Sequence, residues 1–180
     1  FKFNRQNYGK IPSTEIWDKI VKNMVDSAEP GLLHWDNLTS NNSYYFDPII
    51  STNPCGEVPL GGYNVCNLGS LVLPNFITGS VNTNWKKLEQ TIRLAVRFLD
   101  DVIECNKYVL KEVDINAHKA RRVGLGVMGL AEYLFAKKLR YGSKKAIYEI
   151  EKLMRFIRDI AYETSVELAI EKGAFPQFDP

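Results

Sequence analysis

The most informative segment of this chain reads Asn53-Pro54-Cys55-Gly56-Glu57. It places an amide, a thiol and a carboxylate at alternate positions. In an extended segment alternate side chains point to the same side, so we expect those of Asn53, Cys55 and Glu57 to share one face. Pro54 and Gly56 both resist a regular helix. The segment is therefore predicted to be a shaped loop that carries reactive groups.

The pairing of Cys55 with Glu57 limits the chemistry of this loop. A carboxylate close to a thiol disfavours the thiolate, so the pair is poorly suited to ordinary thiolate reactions. It suits a reaction in which the sulfur carries a neutral hydrogen atom and the carboxylate accepts a proton. A second thiol follows eleven residues later, at the start of Cys66-Asn67-Leu68-Gly69-Ser70.

Each of these residues also has an ordinary structural interpretation. An isolated cysteine is most often a small buried hydrophobic residue, and a loop glutamate is usually a surface carboxylate. Asn53 precedes a proline, which is a common way to start a turn. Cys55 and Cys66 are close enough in sequence to form a structural disulfide, which would contribute about 3 kcal/mol. The combination of Asn53, Cys55 and Glu57 favours the chemical interpretation.

Together these motifs resemble the active-site loop of ribonucleotide reductase catalytic subunits. The proline after the asparagine and the short step from Cys55 to Cys66 are most similar to the adenosylcobalamin-dependent class. Other blocks of the family are resembled in the same order, namely Glu29-Pro30-Gly31 leading to Asp36, the pair Asn41-Asn42, residues 121–131 and residues 171–176. The resemblance covers nearly the whole chain, and it implies that residues 1–180 are an internal part of the catalytic barrel domain of a larger enzyme.

The resemblance implies an α/β fold, as a segment of a ten-stranded α/β barrel whose internal finger loop carries the active-site cysteine. Cys55 would form a transient thiyl radical that removes the 3′ hydrogen atom of the ribose. Glu57 would accept the proton of the 3′ hydroxyl as general base, and Asn53 would bind the sugar hydroxyls through its amide. Cys66 would be one of two redox-active cysteines, with its partner outside this chain.

The resemblance also implies the cofactors and partners. Adenosylcobalamin is the expected radical source, and an external thiol reductant such as thioredoxin is expected to regenerate the cysteines. The ribonucleotide substrate and the remaining parts of the same enzyme are the expected partners, with a homodimer as a further option. Two alternatives remain open: a class with a separate metal-containing radical subunit, and a non-catalytic fragment that binds nucleotide or a partner subunit.

Composition restricts the other classes of function. The chain has 180 residues, 45% of them hydrophobic, and can bury a core. A formal net charge of +2 is too small to imply a nucleic-acid or membrane partner. Three cysteines are too few for a disulfide scaffold, and no apolar run is long enough for a transmembrane helix, so a cytoplasmic location is expected. With only His34 and His118, and no Cys-x-x-Cys, no metal site is expected.

Apolar periodicity and capping residues predict the elements. A connection over residues 1–12 leads to a helix that Ser13 caps and Pro30-Gly31 ends, with Glu15 in its first turn and an apolar stripe from Ile16 to Val25. Strands are predicted over Leu32–Trp35 and Leu68–Phe76, with a loop over residues 36–48. Three later helices are predicted, one capped by Asn84, a short one over Val127–Lys137, and one from Ser143 to Gly173. The expected buried face of the last helix consists of Ile147, Ile150, Met154, Ile157, Ala161, Ser165 and Leu168.

Residues 124–129 match the G-x-G-x-x-G spacing of dinucleotide-binding loops. Basic residues rather than a hydrophobic strand precede them, so we expect that these glycines instead let the start of a helix pack closely. Arg121 and Arg122 are candidates for a phosphate contact, although a solvated helix face is the stronger interpretation of this basic cluster.

Overall fold

The computed structural model describes residues 2–3, 6–7, 9–79 and 81–178. The chain divides into two compact units, residues 1–43 and residues 44–180. Among the described residues, no helix is both long and apolar enough to cross a bilayer.

The first unit contains a small hairpin and two helices. Strand β1 (Lys2–Phe3) pairs antiparallel with β2 (Gln6–Asn7), so the connection expected over residues 1–12 is in part a hairpin. Helix α1 (Ser13–Ser27) and helix α2 (Trp35–Ser40) follow. All fifteen residues of α1 are described and none of them is buried, so its apolar stripe remains exposed in this unit.

Helix α1 differs from its prediction at both ends. Pro12 is the N-cap residue and there is no side-chain cap hydrogen bond, so the predicted cap by Ser13 is wrong. Proline has no N–H to donate and a fixed φ, which is well tolerated where a helix begins. Ala28 ends the helix in a left-handed conformation with φ 61°, before the predicted stop at Pro30-Gly31. Glu15 lies in the first turn, as predicted.

The strand predicted over Leu32–Trp35 is not formed. Trp35 begins α2 instead, and Leu32 and Leu33 are 43% and 50% exposed. A strand needs a neighbour for its N–H and C=O groups, and no described segment of the first unit pairs with these residues. Helix α2 also replaces the start of the loop predicted for residues 36–48. Asp36 lies in its first turn, where a carboxylate interacts favourably with the helix dipole.

The second unit combines helices and strands, which confirms the predicted α/β class. Its elements are β3 (Ser51–Thr52), β4 (Pro59–Leu60), β5 (Asn67–Val72), a 3-10 turn (Leu73–Phe76), β6 (Ile77–Thr78), β7 (Asn82–Thr83), α3 (Trp85–Cys105), α4 (Lys111–Ala120), β8 (Val123–Met128), α5 (Leu130–Ala136) and α6 (Lys144–Lys172). Strands β3 and β4 form an antiparallel hairpin, and so do β6 and β7. Strands β5 and β8 are parallel, with Asn67 opposite Val123 and Val72 opposite Met128.

Helix α3 is central to the core of the second unit. It packs against α6 and against the β5–β8 pair. Its predicted cap is confirmed, because Asn84 Oδ1 accepts a hydrogen bond from the Lys87 N–H at 3.0 Å. The buried hydrophobic cluster consists of Leu71, Leu73, Phe76, Leu88, Ile92, Val96, Tyr133, Leu134, Ala146, Leu153, Ile157 and Leu168.

The helix predicted over Val127–Lys137 starts later, because Val123–Met128 form strand β8. Glycine at position 124 lets β8 lie close to the side chain of Leu68 on β5, because a Cβ on Gly124 would lie 2.6 Å from Leu68 Cδ2. Gly124 and Gly126 therefore lie inside a strand, and only Gly129 occupies the turn before α5. The expectation that these glycines mark a helix start is wrong for the first two.

Helix α6 has the predicted caps, and its buried face is predicted in part. Ser143 Oγ accepts a hydrogen bond from the Ala146 N–H at 3.2 Å, and Gly173 ends the helix with φ 89°. Ile157 and Leu168 are buried as expected, and Ile150 and Ala161 pack against the core, whereas Met154 and Ser165 are exposed. Ile147, expected inside, is 57% exposed, whereas Leu153 is fully buried. The helix carries apolar residues on adjacent stripes, and packing against α3 selects between them.

Candidate active site

The turn between β3 and β4 carries residues 53–57. The Asn53 N–H donates to Val58 O at 3.3 Å, and the Val58 N–H donates to Asn53 Oδ1 at 3.0 Å. The Gly56 N–H donates to Asn53 O at 3.0 Å, and Gly56 has φ 81°, a left-handed conformation that suits glycine. These bonds confirm the predicted shaped loop. They also make it a tight turn, so the extended backbone assumed for one shared face is wrong.

The three candidate side chains of this turn differ in exposure. Cys55 and Glu57 are exposed near its tip, and Asn53 is half-buried. Asn53 closes the turn through Oδ1, which is the structural role that the sequence offered as an alternative. The Cys55 thiol is accessible to a molecule that approaches the tip of the hairpin.

Cys66 lies directly before β5 and is half-buried. Its Sγ is 3.7 Å from Asn67 O. Burial raises the pKa of the Cys66 thiol, and the positive charge of Arg122 acts in the opposite direction. Cys55, Cys66 and Cys105 are free thiols, so the alternative disulfide between Cys55 and Cys66 is not formed.

Arg122 joins segments that are distant in the sequence. Its Nη1 donates to Pro59 O at 3.4 Å, across 63 positions of the chain. Its guanidinium carbon lies 3.9 Å from the centre of the Tyr44 ring, a cation–π distance. From the sequence alone Arg122 is only a candidate phosphate contact, and no local pattern links it to Tyr44, Pro59 or Cys66.

The remaining candidates have ordinary surroundings. Arg121 donates from Nε to Asp100 Oδ1 at 2.9 Å and also forms an ion pair with Glu104, so its guanidinium is already paired with two carboxylates. Cys105 is the exposed last residue of α3. Across the described ranges, no group of three or more His, Cys, Asp or Glu side chains is placed to hold a metal ion.

Comparison with known protein families identifies the chain. The family model of the ribonucleotide reductase barrel domain matches residues 2–180. The chain belongs to this family. The resemblance seen in the motifs is therefore confirmed, and the hairpin that bears Cys55 is part of a ribonucleotide reductase barrel domain.

The relatives of this ribonucleotide reductase segment are longer proteins. It is 39% identical over 168 residues to the vitamin B12-dependent ribonucleoside-diphosphate reductase of Thermoplasma acidophilum, an alignment that covers 93% of this chain and 22% of the relative. The enzyme of the same name from Mycobacterium tuberculosis is 42% identical over 170 residues, covering 94% and 24%. The ribonucleoside-diphosphate reductase large chain of Schizosaccharomyces pombe is 29% identical over 185 residues, covering 99% and 23%. The chain thus spans less than a quarter of each of these three relatives.

Proposed function

We propose that the protein containing this chain reduces ribonucleoside diphosphates to deoxyribonucleotides for DNA synthesis, with the turn of residues 53–57 as its reactive centre. The observation that carries this proposal is an exposed thiol and an exposed carboxylate, Cys55 and Glu57, on one tight turn of a ribonucleotide reductase barrel domain. The names of the Thermoplasma acidophilum and Mycobacterium tuberculosis relatives specify a ribonucleoside diphosphate as their substrate.

Cys55 is the hydrogen-atom carrier of the proposed reaction. As a thiyl radical it takes the 3′ hydrogen atom of the ribose, and it returns a hydrogen atom to the same carbon at the end of the cycle. Glu57 accepts the proton of the 3′ hydroxyl, which requires hydrogen-bond reach to the sugar. The exposure of both side chains supports these roles, because a substrate reaches them without displacing other residues.

Asn53 has two roles in this proposal. Its Oδ1 is engaged with the Val58 N–H, so its amide Nδ2 is the group that donates to a sugar hydroxyl. The bond to Val58 also fixes the side chain before substrate arrives. Because the side chain is already ordered, less rotamer entropy is lost on binding.

Cys66 supplies reducing equivalents together with a second cysteine outside this chain. The 2′ hydroxyl leaves as water, and the two thiols give up two electrons and two protons as they form a disulfide. The balance is one ribonucleotide and two thiols giving one deoxyribonucleotide, one disulfide and one water. An external dithiol such as thioredoxin then reduces the disulfide by exchange.

The environment of Cys55 fits a radical cofactor that must come close to the sulfur. The thiol lies on an exposed turn, and the residue that follows it, Gly56, has no side chain. Adenosylcobalamin, when bound, supplies the one-electron chemistry that removes the hydrogen atom from a thiol. In this chain Pro54, Cys55 and Gly56 are the residues that would face it, and the names of the first two relatives support this cofactor.

The ten-stranded barrel and its internal finger loop also belong to this proposal. Among the described residues β5 and β8 form a parallel sheet of only two strands, and Leu68 on β5 is 56% exposed. Parallel sheets are normally covered on both faces. We place the missing strands and helices in the rest of the enzyme, with the β3–β4 hairpin as the finger. The three free thiols are consistent with a cytoplasmic location.

The test is ribonucleotide reduction by the full-length native chain, with and without adenosylcobalamin. Cys55→Ser is expected to abolish activity, whereas Cys105→Ser, which removes another exposed thiol on α3, is expected to retain it. Activity that depends on a second protein subunit in place of adenosylcobalamin would contradict the cofactor assignment. Activity retained by Cys55→Ser would overturn the proposed function.

A further inference from the structure

Arg122 is held in place from several directions near Cys66. The hydrogen bond from Arg122 Nη1 to Pro59 O attaches the side chain to β4 of the β3–β4 hairpin, and the Tyr44 ring lies against one face of the guanidinium. Its own carbonyl accepts a hydrogen bond from the Asn67 N–H at 3.4 Å, so its backbone lies beside the residue that follows Cys66. Arg122 is therefore fixed between the Cys55 hairpin and the start of β5.

One N–H of this guanidinium has capacity to stabilise an anion. Arg122 Nε is buried and has no hydrogen-bond partner among the residues that the structure describes. An unpaired buried donor of a charged group is costly, and such a group normally has a partner. A thiolate is an anion that accepts hydrogen bonds. Cys66 comes directly before Asn67, which pairs with Val123 and bonds to Arg122 O, so Cys66 lies beside Arg122 at the start of the two parallel strands. The positive charge of Arg122 acts to lower the pKa of the Cys66 thiol.

Burial, and not a neighbouring charge, opposes the ionisation of Cys66. Burial is the largest effect and raises the pKa of the Cys66 thiol. Burial also raises the pKa of Tyr44, and the charges of Cys66 and Asp47 add to that rise whereas Arg122 lowers it. Asp47 is itself hydrogen-bonded by Asn64 Nδ2. In this group of a thiol, a phenol and a carboxylate, Arg122 supplies the positive charge.

We propose that Arg122 is the positioning residue of Cys66, and that its guanidinium stabilises the Cys66 thiolate during disulfide reduction. The external dithiol attacks the second sulfur of the disulfide and forms a new S–S bond with it. The original bond breaks, and Cys66 leaves with the electron pair as a thiolate that later takes a proton from solvent. A second exchange oxidises the dithiol and frees the second cysteine. A leaving thiol of lower pKa departs faster, so Arg122 assists this step.

This inference rests on the proposed redox role of Cys66, but its test needs no turnover. The full-length chain is alkylated with iodoacetamide over a series of pH values, where the thiolate forms an S–C bond and iodide leaves. Mass spectrometry then follows each cysteine. Digestion after glutamate separates Cys66 from Cys55, because Glu57 lies between them. Arg122→Met removes the charge, Arg122→Lys keeps it, and Arg121→Met removes the adjacent charge, which is bonded to carboxylates elsewhere.

Arg122→Met is expected to lower the alkylation rate of Cys66 near neutral pH by about three- to tenfold and to shift its pH profile upward, as loss of a nearby positive charge predicts. The rate of Cys55 should be unchanged. Arg122→Lys and Arg121→Met should both keep the Cys66 profile close to that of the native chain. Equal pH profiles of Cys66 alkylation for the native chain, Arg122→Met and Arg122→Lys would overturn the proposal. An equal loss of alkylation rate in both Arg122 variants would also overturn it, because the effect would then come from packing and not from charge. Loss of nucleotide reduction in Cys55→Ser tests the underlying function separately.

Discussion

Asn53→Ala tests whether the side chain of Asn53 stabilises the turn of residues 53–57. The substitution removes Oδ1, the acceptor of the Val58 N–H at 3.0 Å, and leaves the two backbone bonds of the turn, Asn53 N–H to Val58 O at 3.3 Å and Gly56 N–H to Asn53 O at 3.0 Å. A hydrogen bond of this kind contributes about 1 kcal/mol, which corresponds to about a fivefold change in an equilibrium constant. We expect the Val58 amide hydrogen to exchange with solvent about fivefold faster in Asn53→Ala than in the native chain.

Asn53→Asp is the matched variant, because it keeps an oxygen in place of Oδ1 but loses the amide donor. Hydrogen exchange measured by mass spectrometry on the full-length chain should show native protection at Val58 for Asn53→Asp and lost protection for Asn53→Ala. Both variants should lose about tenfold or more in nucleotide reduction, since the proposed bond from Nδ2 to the sugar is absent in each. Unchanged exchange at Val58 in Asn53→Ala would refute the structural role. Native activity in Asn53→Asp would refute the substrate role.

Two further predictions concern the packing of the second unit. Gly129→Ala should destabilise the protein by about 2–4 kcal/mol in denaturant unfolding, because φ is +74° and the new Cβ would lie 2.6 Å from Pro74 Cδ. Gly142→Ala, with φ +75° and open space around the Cβ, should cost only about 1–2 kcal/mol, and equal costs would contradict the role of the proline. Burial acts to raise the pKa of Glu149. The bonds that its carboxylate accepts from Lys137 and Tyr133 outweigh this effect, and the pKa is lowered; Lys137 Nζ lies 3.0 Å from Glu149 Oε1. The stability from this carboxylate is present above its unfolded pKa and is lost as the pH falls through its folded pKa. Lys137→Met should therefore lower the free energy of unfolding at neutral pH. It should also reduce the loss of that free energy between neutral and acid pH. An unchanged dependence on pH in this range would contradict the pairing.

Local chemistry explains which features were predictable from the sequence. The caps at Asn84 and Ser143 act over three residues, and Gly173 ends α6 through its own backbone conformation. The turn of residues 53–57 is likewise set by a proline, a glycine and an asparagine within a short segment. The family was recognisable for the same reason, since its most specific motif is contiguous.

Long-range contacts decided the rest. Val123–Met128 is a strand because β5 lies beside it, and the buried face of α6 is the one that meets α3. The strand predicted over Leu32–Trp35 failed because no described neighbour in its unit pairs with it.

The sequence by itself therefore determined the turn of residues 53–57, the main helices and the family of this protein. Only the tertiary structure placed Arg122 against Tyr44 and Pro59 and beside the residue that follows Cys66. The physical reason is range: propensity and capping act within a few residues, whereas burial, strand pairing and the electrostatic environment of a thiol depend on segments brought together by folding.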